Sequence, residues 1–318
     1  MLLPYPKEMS EIEVGESNGK HGRVLLLTGC SSGFGRELVK AATSRGDKVI
    51  ATARKVRDLD YCSDITNAKV LELDVTAPQS DLDAKIPEAV ALFGRIDVKV
   101  NNAGYVLSGV WEELNPDQVQ AQFDTNLFGP LNLTRAVLPH MRAKNSGMVL
   151  FMGRISGWHG IGGGGPYSAT KFALEGAVEC LAKETKPFGI RVHLLVIGQF
   201  RTSILDVTKK KAELDPNRGE ECYAPVKADM ARIHAATAGT QPGNPVLAAE
   251  KIVELATWNH HSGKVIRGKL PLRIPLGSDA VQVMRMKCES TLKDLDQWEV
   301  FAQSTDFEDK PAVPAYLR

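Results

Sequence analysis

The sequence predicts an α/β protein built on a doubly wound parallel sheet with helices packed on both faces. Three observations lead there. From Arg23 onward, short runs rich in valine, leucine and isoleucine alternate with amphipathic stretches of helical period. Several of those runs end in glycine or a small polar residue, as a chain does when it leaves a strand at the carboxyl edge of a sheet. A glycine-rich turn, Thr28-Gly29 followed by Gly33 and Gly35, lies between the first run and the first amphipathic stretch.

Taken in order, RVLLLTG, KVIATAR, AKVLELDV, DVKVNNAG, MVLFMG, IRVHLLVIG and LPLRIPLG read as strands, and their apolar composition predicts burial on both faces. The intervening stretches predict helices over 34–46, 80–93, 116–144, 168–186 and 245–258, with a last amphipathic helix from Gly277 to about Ala302. Asn115-Pro116 starts the third helix: asparagine accepts from an orphan amide, and proline fits the first turn, where its missing N–H costs nothing. Lys99 is discordant, since it falls inside a run that ought to be buried, and its stem is expected to carry the ammonium to an edge.

One region breaks the alternation. Residues 203–244 are polar, lysine-rich and bounded by QPGNP, and they separate the sixth predicted strand from the next helix at the carboxyl edge of the sheet. Such an insertion reads as a substrate lid, with Tyr223 and Met230 either choosing the substrate or packing; Lys209–Lys211 reads as a solvated helix face. The expected organisation is a mobile tail over 1–20, one domain over 21–303 and a C-terminal tail over 304–318.

The chain has 318 residues, 43% of them hydrophobic, which is enough for one large core. A formal net charge of +1, with scattered lysines and arginines, gives no electrostatic footprint for nucleic acid. Five cysteines (Cys30, Cys62, Cys180, Cys222 and Cys288) form no Cys-x-x-Cys pair, which argues against a zinc site or a disulfide framework and suits a reducing compartment. No window offers the ~18 apolar residues of a membrane span, and the N-terminal apolar run is too short for a signal peptide. A soluble, cytoplasmic protein without a bound metal is expected.

Chemistry enters with YSATK. Tyr167 and Lys171 are four residues apart, so a helix projects both into one cleft. A free phenol has a pKa of about 10 and exchanges protons poorly near neutrality. A neighbouring ammonium favours the phenolate, so Lys171 is expected to lower the tyrosine pKa toward a working range. The glycines at 29, 33 and 35 allow a sharp turn and a close approach to the amides of a helix start, where a phosphate binds.

With TGCSSGFG, LDV at 73–75, NNAG at 101–104, TNLFGPLNLTRAVLP at 125–139, YSATK at 167–171 and IGQFRT at 197–202, all in order, the chain resembles the short-chain dehydrogenase/reductase family over roughly residues 22–300. More distantly it is similar to the hydroxysteroid and retinol dehydrogenases. The resemblance implies a Rossmann-type fold and a nicotinamide dinucleotide. Gly29, Gly33 and Gly35, with Phe34 between the last two, would frame the pyrophosphate. Asp74 would meet the adenine amino group, Val75 would lie beside the ring, and Asn102, Ala103 and Gly104 would line the adenosine side. Asn126 would hold a water that relays protons to Lys171, and Thr202 would bind the carboxamide. Family members assemble as homodimers or homotetramers, which implies association through the long helices at 116–144 and 168–186.

Cofactor choice follows from charge. An NAD-preferring site ends its second strand in a carboxylate, whereas here Ala53 is followed by Arg54, with Ser31 and Ser32 in the glycine loop. A guanidinium and hydroxyls suit a 2′-phosphate, so NADP(H) is expected.

The chain departs from the family at the chemical end. Thirteen residues before Tyr167, where the family has a carbonyl-orienting serine, stands Arg154; Ser156 could replace it only through a two-residue slip. The family's Pro-Gly after the sixth strand is Ile197-Gly198. Arg154 leaves three outcomes open: it donates to a carbonyl in a working reductase, it lowers the Tyr167 pKa for a non-redox proton transfer, or it fills the pocket. The expected function is carbonyl–alcohol interconversion on a small to medium apolar substrate. The alternatives are an isomerase, cyclase or dehydratase on the same scaffold, or an NADP-binding protein without turnover.

Overall fold

A computed structural model describes residues 22–202, 221–256 and 269–314. Seven parallel strands form one sheet in the order β3-β2-β1-β4-β5-β6-β7. They are β1 (Val24–Leu27), β2 (Lys48–Ala53), β3 (Ala68–Glu72), β4 (Val98–Asn101), β5 (Gly147–Met152), β6 (Ile190–Ile197) and β7 (Arg273–Leu276). The order reverses between β1 and β4, which opens a crevice at their carboxyl ends.

Alternation along the strands decides which helices lie on which face. Leu25, Leu27, Val98, Val100 and Leu150 point to one side, where they pack on α1 (Gly33–Ser44) and α7 (Pro245–Ala256) through Leu38, Val39, Ile252 and Val253. Leu26, Ile50, Val149 and Phe151 point to the other, against α2 (Gln79–Phe93), α4 (Gly129–Ala143) and α5 (Gly165–Thr185). Two further helices are α6 (Ala224–Thr237) and α8 (Ser278–Gln303).

Most predicted elements form within a few residues of their expected ends, and three expectations are corrected. β3 is not buried on both faces: it is an edge strand, exposed at Lys69, Val70 and Glu72. The helix expected over 116–144 is α3 (Pro116–Phe123) and α4 joined through a π-helical turn at Asp124–Phe128, a local widening that often marks functional sites. Its start is as expected, with the Asn115 side chain accepting from Asp117 N at 2.8 Å.

The third correction is Lys99. Its strand lies between β1 and β5 and has no edge to reach, so the side chain is wholly buried. Nζ donates to Asn101 Oδ1, and Asn101 Nδ2 donates to Thr134 Oγ1 at 3.1 Å. Burial holds the Lys99 pKa well below the ordinary lysine value. An amine that loses its charge easily is the form this core tolerates.

Of the expected lid, residues 203–220, including Lys209–Lys211, lie outside the described residues, as do the tail over 1–20 and residues 315–318. The remainder carries α6, which is pinned at one side. Tyr223 Oη donates to Glu112 Oε2 at 2.5 Å, and Lys227 pairs with the buried Glu113 at 2.6 Å. Met230 fills the space beside Gly163, where a Cβ would lie 2.1 Å from Met230 Cε.

Candidate active site

The glycine loop after β1 is held in shape by the loop after β4. Thr28 Oγ1 accepts from the backbone N–H groups of Asn102 and Ala103, each at 3.0 Å. Asn102 Nδ2 donates to Thr28 O at 2.8 Å and to Gly29 O at 3.1 Å. Gly29 has φ +69°, and a Cβ there would lie 2.8 Å from Ala103 Cα. At Gly35 a Cβ would lie 2.1 Å from Gly29 O, so glycine is the residue that lets the first turn of α1 approach the strand end. Ser32 stands at the N-cap of α1, where its side chain makes no capping bond, and the first turn of the helix carries no acidic residue. Ser31 and Ser32 are exposed there. This helix start fits an anionic group such as a dinucleotide pyrophosphate.

At the end of β2, Arg54 is exposed, and its charge acts on Tyr105 across the crevice. Asp74 lies just past β3, where its Oδ1 accepts from Thr76 N at 2.9 Å and Thr76 Oγ1 at 2.8 Å. Val75 beside it is buried.

One cleft gathers Phe34, Asn102, Gly104, Tyr105, Asn126, Met152, Gly153, Arg154, Tyr167, Lys171, Ile197 and Thr202. Ser31, Ser32, Arg54, Asp74, Val75 and Ala103 lie outside it. Asn102 and Gly104 thus share the cleft with Tyr167. Phe34 stacks edge-on against Phe200, with ring centroids 5.2 Å apart. Thr202 follows the turn closed by its N–H on Phe200 O at 2.8 Å. Tyr105, Met152 and Gly153 are lining residues that motif reading missed; their places immediately after NNAG and at the end of the fifth apolar run were the available signals.

The π turn delivers Asn126. Its Oδ1 accepts from Tyr105 N at 3.1 Å and its Nδ2 donates to Tyr105 O at 2.9 Å, which clamps the loop after β4. A carboxamide has two donors and two acceptor lone pairs, so these bonds leave one of each toward the cleft.

Tyr167 and Lys171 lie in the first two turns of α5, and both are buried. Lys171 Nζ stands 5.6 Å from the Tyr167 ring centroid and donates to Met152 O at 2.7 Å. Burial lowers the Lys171 pKa to about 8, and the Arg154 charge adds to the shift. Here the sequence expectation is corrected: the Tyr167 pKa is raised, not lowered. Burial outweighs the opposing pull, and the cation that exerts that pull is Arg154 rather than Lys171. By the pH at which Tyr167 ionises, Lys171, with its pKa of about 8, has already lost its charge.

Arg154 lines the cleft, while Ser156 is buried in the following turn and does not line it. Arg154 Nη1 donates to Gly198 O at 2.9 Å. That ties the end of β5 to the loop after β6, at the Ile197-Gly198 departure. The same loop is held from its other side, where Asp279 Oδ2 accepts from Gln199 N at 2.6 Å. Gly198 has no room for a side chain, since a Cβ would lie 2.0 Å from Asp279 Oδ1.

A glycine loop, a tyrosine–lysine pair on one helix and an asparagine π turn now meet at the crevice of a reversed parallel sheet, and the family model for short chain dehydrogenases matches residues 23–213. The chain belongs to the short-chain dehydrogenase family. Its relatives agree. A 3-ketodihydrosphingosine reductase of Bacteroides thetaiotaomicron is 38% identical over 184 residues, which is 58% of this chain and 66% of that protein. Oxidoreductase calM of Penicillium decumbens is 33% identical over 286 residues, 85% of this chain and 89% of that one. The crystal structure of a Streptomyces avermitilis short-chain dehydrogenase superposes with TM-score 0.76 at 36% identity, covering 91% of this chain and all (100%) of the other. This short-chain dehydrogenase is thus an oxidoreductase of that family by sequence and by fold. Among the described residues, no helix is long and apolar enough to cross a membrane.

Proposed function

We propose that this protein is an NADP(H)-dependent oxidoreductase that interconverts a carbonyl and an alcohol on a small to medium apolar substrate. The observation that carries the reading is the cleft itself, where Tyr167, Lys171 and Arg154 converge beside a glycine loop shaped for a pyrophosphate. When bound, the nicotinamide cofactor supplies or accepts the hydride at the substrate carbon. Tyr167 Oη delivers the proton to the substrate oxygen in reduction, and its raised pKa keeps it protonated and ready to act as the acid. Lys171, with a pKa of about 8, sits near the proton-transfer range and returns the proton to the phenol, with Asn126 anchoring the relay to solvent. Arg154 supplies positive charge where negative charge develops on the reacting oxygen, while its bond to Gly198 O fixes its position.

Preference for NADP(H) rests on Arg54 at the end of β2, together with Ser31 and Ser32 at the start of α1, with Ala53 where a carboxylate would repel a 2′-phosphate. In this reading Gly29, Gly33, Gly35 and Phe34 frame the pyrophosphate. Asp74, Val75, Asn102, Ala103 and Gly104 border the adenosine, and Thr202 holds the carboxamide. The lid carrying Tyr223 and Met230 selects the substrate, and the protein works in the cytoplasm as a homo-oligomer.

The test is turnover of a panel of apolar ketones with NADPH, followed by the loss of reduced-cofactor absorbance and by product. Stoichiometric consumption, abolished by Tyr167→Phe with NADPH affinity retained, supports the reading. Product without NADPH consumption assigns a non-redox reaction, NADPH binding without product assigns a non-catalytic role, and full activity in Tyr167→Phe removes the phenol from the mechanism. Arg154→Ala gives the matching test of the substituted position, where loss of one oxyanion donor costs about a hundred- to a thousandfold in rate.

A further inference from the structure

α8 is the least explained element of the fold. Its first turns pack into the body, with Ala280 buried and Val283 and Met284 against the core. Every residue from Arg285 to Gln303 is exposed among the described residues. That exposed part is roughly 28 Å long at 1.5 Å per residue. In proteins it is chiefly the packing of an apolar face that holds a helix. α8 has such a face. Its face recurs at alternating three- and four-residue steps through Val281, Met284, Cys288, Thr291, Leu295, Trp298 and Ala302, apolar at every position but Thr291, the period of a helix–helix seam. Leu292, Leu295 and Trp298 are 59–60% exposed, an unusual load for a surface that meets only solvent.

Beside the middle of this seam, α8 and the body enclose an apolar groove of about 520 Å³, lined by Trp158 and Phe172 from the body and by Cys288, Thr291 and Leu292 from α8. Charge flanking the seam is segregated: Arg285 and Lys287 precede its midpoint, whereas Asp294 and Glu299 follow it, and Glu289 and Lys293, which break the pattern, stand at positions away from the seam.

We propose that α8 pairs antiparallel with α8 of a second copy of this chain, about a two-fold axis passing close to Leu292. In this arrangement Leu295 and Trp298 of the partner subunit seat against Cys288, Thr291 and the Trp158–Phe172 groove. Arg285 of each copy meets Glu299 of the partner subunit. Parallel pairing would set the acidic halves against each other, so the charge pattern selects the antiparallel form. The interface is isologous, as a two-fold dimer requires. It rests on α8 and takes in Phe172 of α5, one of the helices that the sequence resemblance implied, and it is independent of the reading of the active site.

The experiment is sedimentation equilibrium of the full chain over a range of concentrations. An even-numbered oligomer is expected. Trp298→Ala raises its dissociation constant at least about thirtyfold, as loss of a central aromatic anchor does. Arg285→Glu and Glu299→Arg, each setting like charges together twice per dimer, weaken it by about threefold to tenfold. An equimolar mixture of those two variants regains wild-type association as a heterodimer, because both cross-pairs are again of opposite sign. These side chains are exposed, so the circular dichroism of each variant matches the parent. If copies also meet through another face, the same variants halve the mass rather than yield the monomer. A monomeric wild type, an unchanged dissociation constant in Trp298→Ala, or a mixture that stays as weak as its components overturns the proposal.

Discussion

Replacing Lys171 with methionine tests the electrostatics of the cleft without a substrate. The folded pKa of Lys171 is about 8, against 10.5 for an unperturbed lysine. Below pH 8 the group is protonated both folded and unfolded, so the folded protein bears the whole cost of a buried ammonium. Between pH 8 and 10.5 the unfolded chain binds more protons than the folded one, and stability therefore rises with pH. Each unit in that window is worth about 1.4 kcal/mol. From pH 7 to pH 9.5, only the 1.5 units above the folded pKa of about 8 count, giving about 2 kcal/mol. Lys171→Met lacks this contribution, while every other titration is shared and cancels in the difference. Urea unfolding of both proteins at the two pH values is the assay. With a slope of about 3 kcal/mol per molar urea, the wild-type midpoint gains about 0.7 M relative to the variant on going to pH 9.5. A difference between the two proteins that stays constant with pH, or that shrinks, refutes the assignment of a destabilised ammonium to this cleft.

Other expectations follow from the same structure. Lys99→Met removes an amine that must charge in the core as pH falls, so its urea midpoint declines less than the wild type's from pH 9 down to pH 6; an identical decline contradicts the burial argument. Gly35→Ala places a methyl on Gly29 O, a backbone atom that cannot yield, and is expected to cost at least about 2 kcal/mol and to weaken NADPH binding, read by thermal unfolding and by titration of cofactor fluorescence. Arg54→Glu is expected to weaken NADPH at least about tenfold while sparing NADH, measured by the same titration; equal affinities in wild type and variant would remove Arg54 from cofactor choice.

Much of the fold was legible because its signals are local. Apolar runs, an asparagine–proline helix start and a Tyr-Lys spacing of four depend on backbone geometry that a few consecutive residues decide, and the strands, the Asn115 cap and the shared face of Tyr167 and Lys171 follow from them. Glycine spacing likewise announced the turn whose tight approach the Gly35–Gly29 geometry then required. What the tertiary structure alone decided concerns neighbours distant in sequence. Lys99 reads as an edge residue until β1 and β5 flank it, and β3 reads as buried until it proves to be the edge. The direction of the Tyr167 shift depends on burial where α5 packs against β6, and the charge that opposes it comes from Arg154, held on Gly198 across 44 residues, rather than from the lysine one turn away. Desolvation and charge act through space, and the order of residues along a chain encodes that space only after the chain has folded.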